Sequence, residues 1–273
     1  MLPIREPAVA GRFYPADPEA LQGELERCLP RIPAGGAELP AIAAMLPHAG
    51  YVYSGAIAGA ALAGCRVPAR ALVLGPNHTG EGARRALHPP GFFRLPGALV
   101  AVDGPLTESV AREAGLGLDA VAHQREHAIE VELPLLLAKN PALRVAALCL
   151  SALSYDECRD IGVGLARAVQ ENGGPAEVLL VASTDMSHYV TAEQARSQDR
   201  LALERVLALD PEGLYRTVRA ERISMCGFIP TTVSLVAALE LGAREAELVR
   251  YGHSGEVSGN HERVVGYAGV IIR

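Results

Sequence analysis

Tryptophan is absent from the 273 residues, aromatic content is only 4%, and Lys139 is the sole lysine. A core made with so few rings has to be packed from aliphatic side chains and alanine. The 49% hydrophobic content supplies them and excludes a disordered chain. With one lysine and a net charge of −6 there is no global basic field to hold a phosphate backbone, so nucleic acid is not expected as a partner. Arginine carries nearly all of the positive charge, a bias compatible with heat adaptation or a GC-rich genome.

No apolar run reaches the length of a membrane span, and residues 1–11 carry charges and prolines where a signal peptide needs an apolar stretch. A cytoplasmic location, without membrane contact, is expected. The five cysteines, at positions 28, 65, 149, 158 and 226, are odd in number and include no Cys-x-x-Cys pair. Neither a disulfide framework nor a zinc ribbon is indicated, and most should be reduced core residues. No phosphate-cradling or dinucleotide-binding glycine loop follows a strand, and there is no Gly-x-Ser-x-Gly nucleophile elbow.

Three apolar runs, in contrast, empty into polar clusters. Residues 41–46 lead to Pro47-His48-Ala49-Gly50-Tyr51, residues 69–74 to Gly75-Pro76-Asn77-His78, and residues 178–182 to Ser183-Thr184-Asp185-Met186-Ser187-His188. The last run is too short for a helix and rich enough in β-branched residues to read as a strand buried on both faces. In open α/β sheets the ligand crevice lies outside the carboxyl ends of the strands, so His48, His78 and His188 can converge there. Any one of them alone is as well explained as a loop histidine satisfying a neighbouring backbone group. Their repetition at strand ends favours a site.

The rest of the chain alternates in the same manner. Helices are expected over 18–29, 54–63, 127–140, 155–171, 191–209, 210–219 and 233–241, and after Asp103; strands over 98–102, 145–150, 247–251 and 264–272. This pattern predicts one layered α/β domain over 1–273, a central sheet flanked by helices. Residues 30–40 form a loose stretch. Residues 81–96, with His88, Phe92 and Phe93, read as a long loop acting as a lid or binding loop.

Cys226 sits just before a helix start, where free N–H groups and the dipole lower a thiol's pKa, so it reads either as a thiolate ligand or nucleophile or as a small buried hydrophobe. In Asp185-x-x-His188 the carboxylate can fix the imidazole's tautomer, as a general acid–base requires, or simply close a local turn. His123-Gln124-Arg125-Glu126-His127 matches the His-x-x-Glu-His pattern of inverted zincins, in which two histidines hold zinc and the glutamate acts as base.

These segments, together with Glu126-His127-Ala128-Ile129-Glu130 before Leu133-Pro134, and Cys226-Gly227-x-x-Pro230, resemble the Memo (mediator of cell motility) family, the B component of the AmmeMemoRadiSam set. They occur in the family's order and span nearly the whole chain. The family is similar to class III extradiol dioxygenases, so the resemblance implies an extradiol dioxygenase-like α/β fold. It also implies a metal held by His48, His78 and Cys226, with the thiol in the place of the dioxygenase glutamate. On the same basis His188 with Asp185 would be the acid–base side, and Tyr51, Asn77, His127 and Glu130 would line the pocket. The implied cofactor is one metal ion, Fe(II) or copper by preference, with zinc accepted. The implied activity is metal-dependent redox chemistry on a small, aromatic-type substrate alongside a radical-SAM protein and an AMMECR-type protein. Eukaryotic members are known as adaptors for phosphotyrosine peptides, so a metal-containing binding protein is the alternative, and a zinc peptidase using His123, Glu126 and His127 is the third reading.

Overall fold

A computed structural model describes residues 2–30 and 37–273; residues 31–36 of the expected loose stretch lie outside the described residues. Four parallel strands form the centre of a mixed sheet, in the order Arg144–Leu150, Arg70–Pro76, Val178–Ser183, Ala43–Leu46. Side chains alternate between two cores. Leu72, Leu74, Val178 and Leu180 face one, while Ala71, Val73, Leu179 and Val181 face the other. Burial on both faces is why these runs are continuously apolar.

Antiparallel strands extend the sheet past Ala43–Leu46, first Val264–Ile272 and then Ala246–His253. On the other side, Ala98–Val102 runs parallel to Arg144–Leu150, and Phe92–Leu95 pairs antiparallel with it. Helices cover both faces, as expected for an α/β layer fold. The helices Gly104–Ala114, Tyr155–Glu171 and Phe228–Glu240 lie over one core, and Pro18–Cys28, Tyr51–Ala63 and Ala128–Lys139 over the other. Among the described residues no helix is long and apolar enough to cross a membrane.

Local chemistry sets the helix starts. Asp17 and Asp103 accept the amides of Ala20 and Leu106, with proline in the first turn. Ser154 with Glu157, and Thr191 with Gln194, form reciprocal capping boxes.

Three expectations are corrected. Residues 81–96 are not a lid: they contain the strands Arg85–Leu87 and Phe92–Leu95, with Ala86, Leu87, Phe93 and Leu95 buried. The runs are short and flanked by glycine and proline, which hid them. The helix expected from residue 54 begins at Tyr51, and the one expected from 233 begins at Phe228, with Pro230 in its first turn where its missing N–H costs nothing.

The helix Tyr155–Glu171 packs against its neighbour at Gly164, where a Cβ would stand 2.6 Å from both the Ala114 Cα and the Glu113 carbonyl oxygen. Backbone cannot step aside as a flexible side chain can. Gly164→Ala should therefore destabilise the fold by about 1–3 kcal/mol, read from urea unfolding.

Candidate metal centre

The strands Arg70–Pro76, Val178–Ser183 and Ala43–Leu46 are neighbours, and the chain leaves all three at the same edge of the sheet. His78, Asp185 and His48 follow them in turn, and the turn before Phe228–Glu240 adds Cys226. The ligand atoms of His48, His78 and Cys226 lie within 4.8 Å of one another, with His48 Nε2 3.4 Å from the sulfur. A Cβ on Gly227 would stand 2.3 Å from the Ser183 carbonyl oxygen, so only glycine lets this turn press against the strand end. The Gly227 amide donates to Thr184 Oγ1 at 2.9 Å, and the Asp185 amide donates to the Cys226 sulfur at 3.3 Å.

Both imidazoles are held from behind. His48 is buried, and its Nδ1 lies 2.8 Å from Ser183 Oγ. Burial, reinforced by the rings of His127 and His78, keeps it well below the ordinary imidazole range and therefore neutral. His78 Nδ1 lies 2.9 Å from Glu126 Oε1, and its amide donates to Oε2 at 2.5 Å. A carboxylate behind a histidine is the arrangement that orients metal ligands. Burial opposes the charge of Glu126, but the His78 contacts and the Ala128 amide outweigh it and hold the carboxyl at about 2.

His127 stacks on His78 at 4.7 Å and meets His48 edge-on at 5.4 Å. His78, Glu126 and His127 make a second group whose ligand atoms lie within 4.8 Å. Glu126 already accepts from the His78 ring and from the amides of His78, His127 and Ala128. That group supports the first site and shares His78 with it. A groove of about 870 Å³ lined by Leu21, Leu25, Leu95 and Leu137 includes none of these residues.

The other sequence candidates lie in varied places. Asp185 Oδ1 accepts the His48 amide at 2.9 Å, and burial pushes its carboxyl up to about 6 against the pull of His188. His188 Nδ1 lies 2.9 Å from the Ser224 carbonyl oxygen. A carbonyl only accepts, so Nδ1 carries the proton and Nε2 is left as the base. Ser224 therefore sets the His188 tautomer, where the spacing had pointed to Asp185. Tyr51 is buried, with its hydroxyl donating to the Val131 carbonyl at 2.7 Å. Asn77 closes its own turn through Glu81 and Gly80. Glu130 has its oxygens taken up by Arg5, the Tyr14 hydroxyl and the amides of Ala8 and Val9.

Two chemical expectations are overturned. Burial, with Asp185 adding to it, pushes the Cys226 thiol up, not down, because desolvation outweighs the helix start and the amides that face the sulfur. A metal would have to displace the thiol proton. The His-x-x-Glu-His pattern is also not assembled. His123 Nε2 lies 3.0 Å from the Ala86 carbonyl oxygen, its imidazole is pushed down to about 3 by burial and His88, and a break between Val121–Gln124 and Ala128–Lys139 parts it from His127. Sequence reasoning gave no role to Ser183, Ser224, Gly227 or Glu132. Only Glu132, a charge inside an apolar helix, carried a signal.

A family model described as Memo-like protein matches residues 5–271 of the chain. A MEMO1 family protein of Methanopyrus kandleri is 38% identical over 98% of this chain and 99% of its own length. Relatives from Methanothermobacter thermautotrophicus and Aquifex aeolicus are 37% and 35% identical, over 97% and 98% of this chain and 99% and 98% of their own.

Glu130 pairs with a buried Arg5 guanidinium, so removing it strands a charge in the core. Glu130→Ala should cost roughly 3–5 kcal/mol of stability, as checked by urea unfolding. An unchanged urea midpoint would remove Glu130 from this structural role.

Proposed function

The chain belongs to the Memo-like family, and from that membership we propose that it is a metal-dependent redox enzyme of the extradiol-dioxygenase superfamily acting on a small, aromatic-type substrate. The observation that carries the reading is the convergence of His48, His78 and Cys226 within 4.8 Å. The donor set fits one metal ion. Two imidazoles have their Nδ1 sides occupied by Ser183 and Glu126, which leaves the Nε2 sides for a ligand, and the sulfur faces the same space.

Bound there, Fe(II) or copper supplies Lewis-acid and redox chemistry, and the soft sulfur also admits zinc. His188 takes or gives a proton at Nε2, with its ring fixed by the Ser224 carbonyl. His127 closes one wall of the site by stacking on His78 and excludes water from that side. Asp185 holds the His48 backbone and, through its own amide, the sulfur. Action alongside a radical-SAM protein and an AMMECR-type protein rests on the family resemblance.

One observation favours the second reading, a binding protein that recognises an anionic or phosphotyrosine-like group without turnover. Tyr189 is 64% exposed at φ 60°, and the Arg263 guanidinium lies over its ring at 4.7 Å, beside His188. An aromatic ring and a cation at the rim suit such a ligand.

Anaerobic metal analysis followed by oxygen uptake on a panel of catechols separates the two readings; stoichiometric metal without uptake on any substrate favours binding. His48→Ala and His78→Ala should each abolish tight metal binding with the fold intact, whereas His123→Ala should not. Cys226 should be protected from iodoacetamide by bound metal, and equal labelling of the apo and loaded forms would remove the sulfur from the ligand set. His188→Ala should keep the metal and lose turnover by about 10²–10⁴-fold; loss of the metal itself would make His188 a ligand.

A further inference from the structure

Ser183 is a junction of three contacts. Its hydroxyl oxygen lies 2.8 Å from His48 Nδ1, 2.8 Å from the Ala128 carbonyl oxygen and 2.7 Å from Glu132 Oε1. A serine hydroxyl donates one hydrogen bond and accepts two. The carbonyl can only accept, so the Ser183 proton points to Ala128 and the other two partners must donate. His48 does so from Nδ1. Glu132 can do so only as a neutral carboxylic acid; ionised, it would leave one of the two short O···O contacts without a proton between its oxygens.

The surroundings agree. Glu132 is fully buried on the helix Ala128–Lys139, and its Oε2 meets no hydrogen-bond partner among the described residues. The titratable groups that face it are Asp185 and Tyr51, with His48 across Ser183. Asp185 is itself acidic, the Tyr51 hydroxyl already donates to Val131, and His48 is neutral, so none of them holds a carboxylate there. Burial, aided by Asp185, keeps the acid well above the usual carboxyl range despite the Ser183 contact.

We propose that Glu132 is a positioning residue of the metal centre: a neutral carboxylic acid that donates to Ser183 and so holds His48 in the tautomer whose Nε2 faces the ligand space. The inference rests on His48 being a metal ligand. Replacing Glu132 by glutamine keeps a donor of the same shape that cannot ionise, whereas leucine cannot donate.

The test uses the full chain with zinc as the probe. Glu132→Gln should bind zinc within about threefold of the wild type, and Glu132→Leu should lose about 10- to 100-fold. Should the leucine variant fail to fold, Ser183→Ala breaks the same junction from the other side and should show the same loss. Equal affinity of the leucine or alanine variant and the wild type overturns the positioning role. The protonation state is read separately from urea unfolding of the metal-free protein. A folded pKa above the unfolded one contributes stability that is complete below about pH 4 and is lost as pH rises towards the folded value. The urea midpoint of Glu132→Gln relative to wild type should therefore be higher at pH 8 than at pH 5. A difference that stays flat or shrinks overturns the neutral acid. If the wild type binds no zinc, or His48→Ala binds it equally well, the metal-site reading fails instead, and the unfolding comparison still judges Glu132.

Discussion

Loops that leave the carboxyl edge of the parallel strands carry buried polar groups, and each of those groups has to find its partner in a neighbouring loop. The rest of the site follows from that constraint. The Asp185 carboxylate satisfies the His48 amide, its own amide satisfies the Cys226 sulfur, and Gly227 bonds back to Thr184. His78 is tied by ring and amide to Glu126, which also caps the start of the helix Ala128–Lys139. The register pairing of these strands sets the loops that follow them side by side.

Charge is placed sparingly in this network. His48 and His127 are held neutral, and Cys226 is held as a thiol. Glu126 is the carboxyl held firmly ionised, and several N–H donors converge on it. Neutral imidazoles with free lone pairs, beside one buried anion, suit capture of a cation better than acid–base work on their own. His188 sits apart from this packed centre, its amide and ring both held by Ser224.

Much of the architecture was legible because burial on both faces writes continuous apolar runs, as in Val178–Ser183, and because helix starts such as Asp17-Pro18 and Asp210-Pro211 announce themselves. That His48, His78 and Cys226 would meet followed from strand ends and the resemblance. What stayed hidden depends on long-range partners. Phe92–Leu95 is a strand only because Ala98–Val102 and Ile4–Arg5 pair with it. Glu130 looked like a pocket residue until Arg5, 125 positions away, claimed it. Local rules erred where desolvation competes: the helix start says that the Cys226 thiol should be acidic, and burial reverses the sign.

The thiol is also where fold and activity separate. A carboxylate in that position would carry its charge into the site before any metal arrived and would favour hard cations; a half-buried thiol held in its protonated form brings no charge until it coordinates. The chain compensates nearby, with Glu126 ionised behind His78 and the Ser183 junction aligning His48. In this hydrogen-bonded arrangement Glu126 carries the negative charge and the sulfur keeps its proton, so a metal taken up by these residues would have to displace that proton, which would tie its uptake to pH and to the softness of the ion. The sulfur would change which metals such a donor set accepts, so chemistry has to be argued from these donors and not from the sheet that carries them.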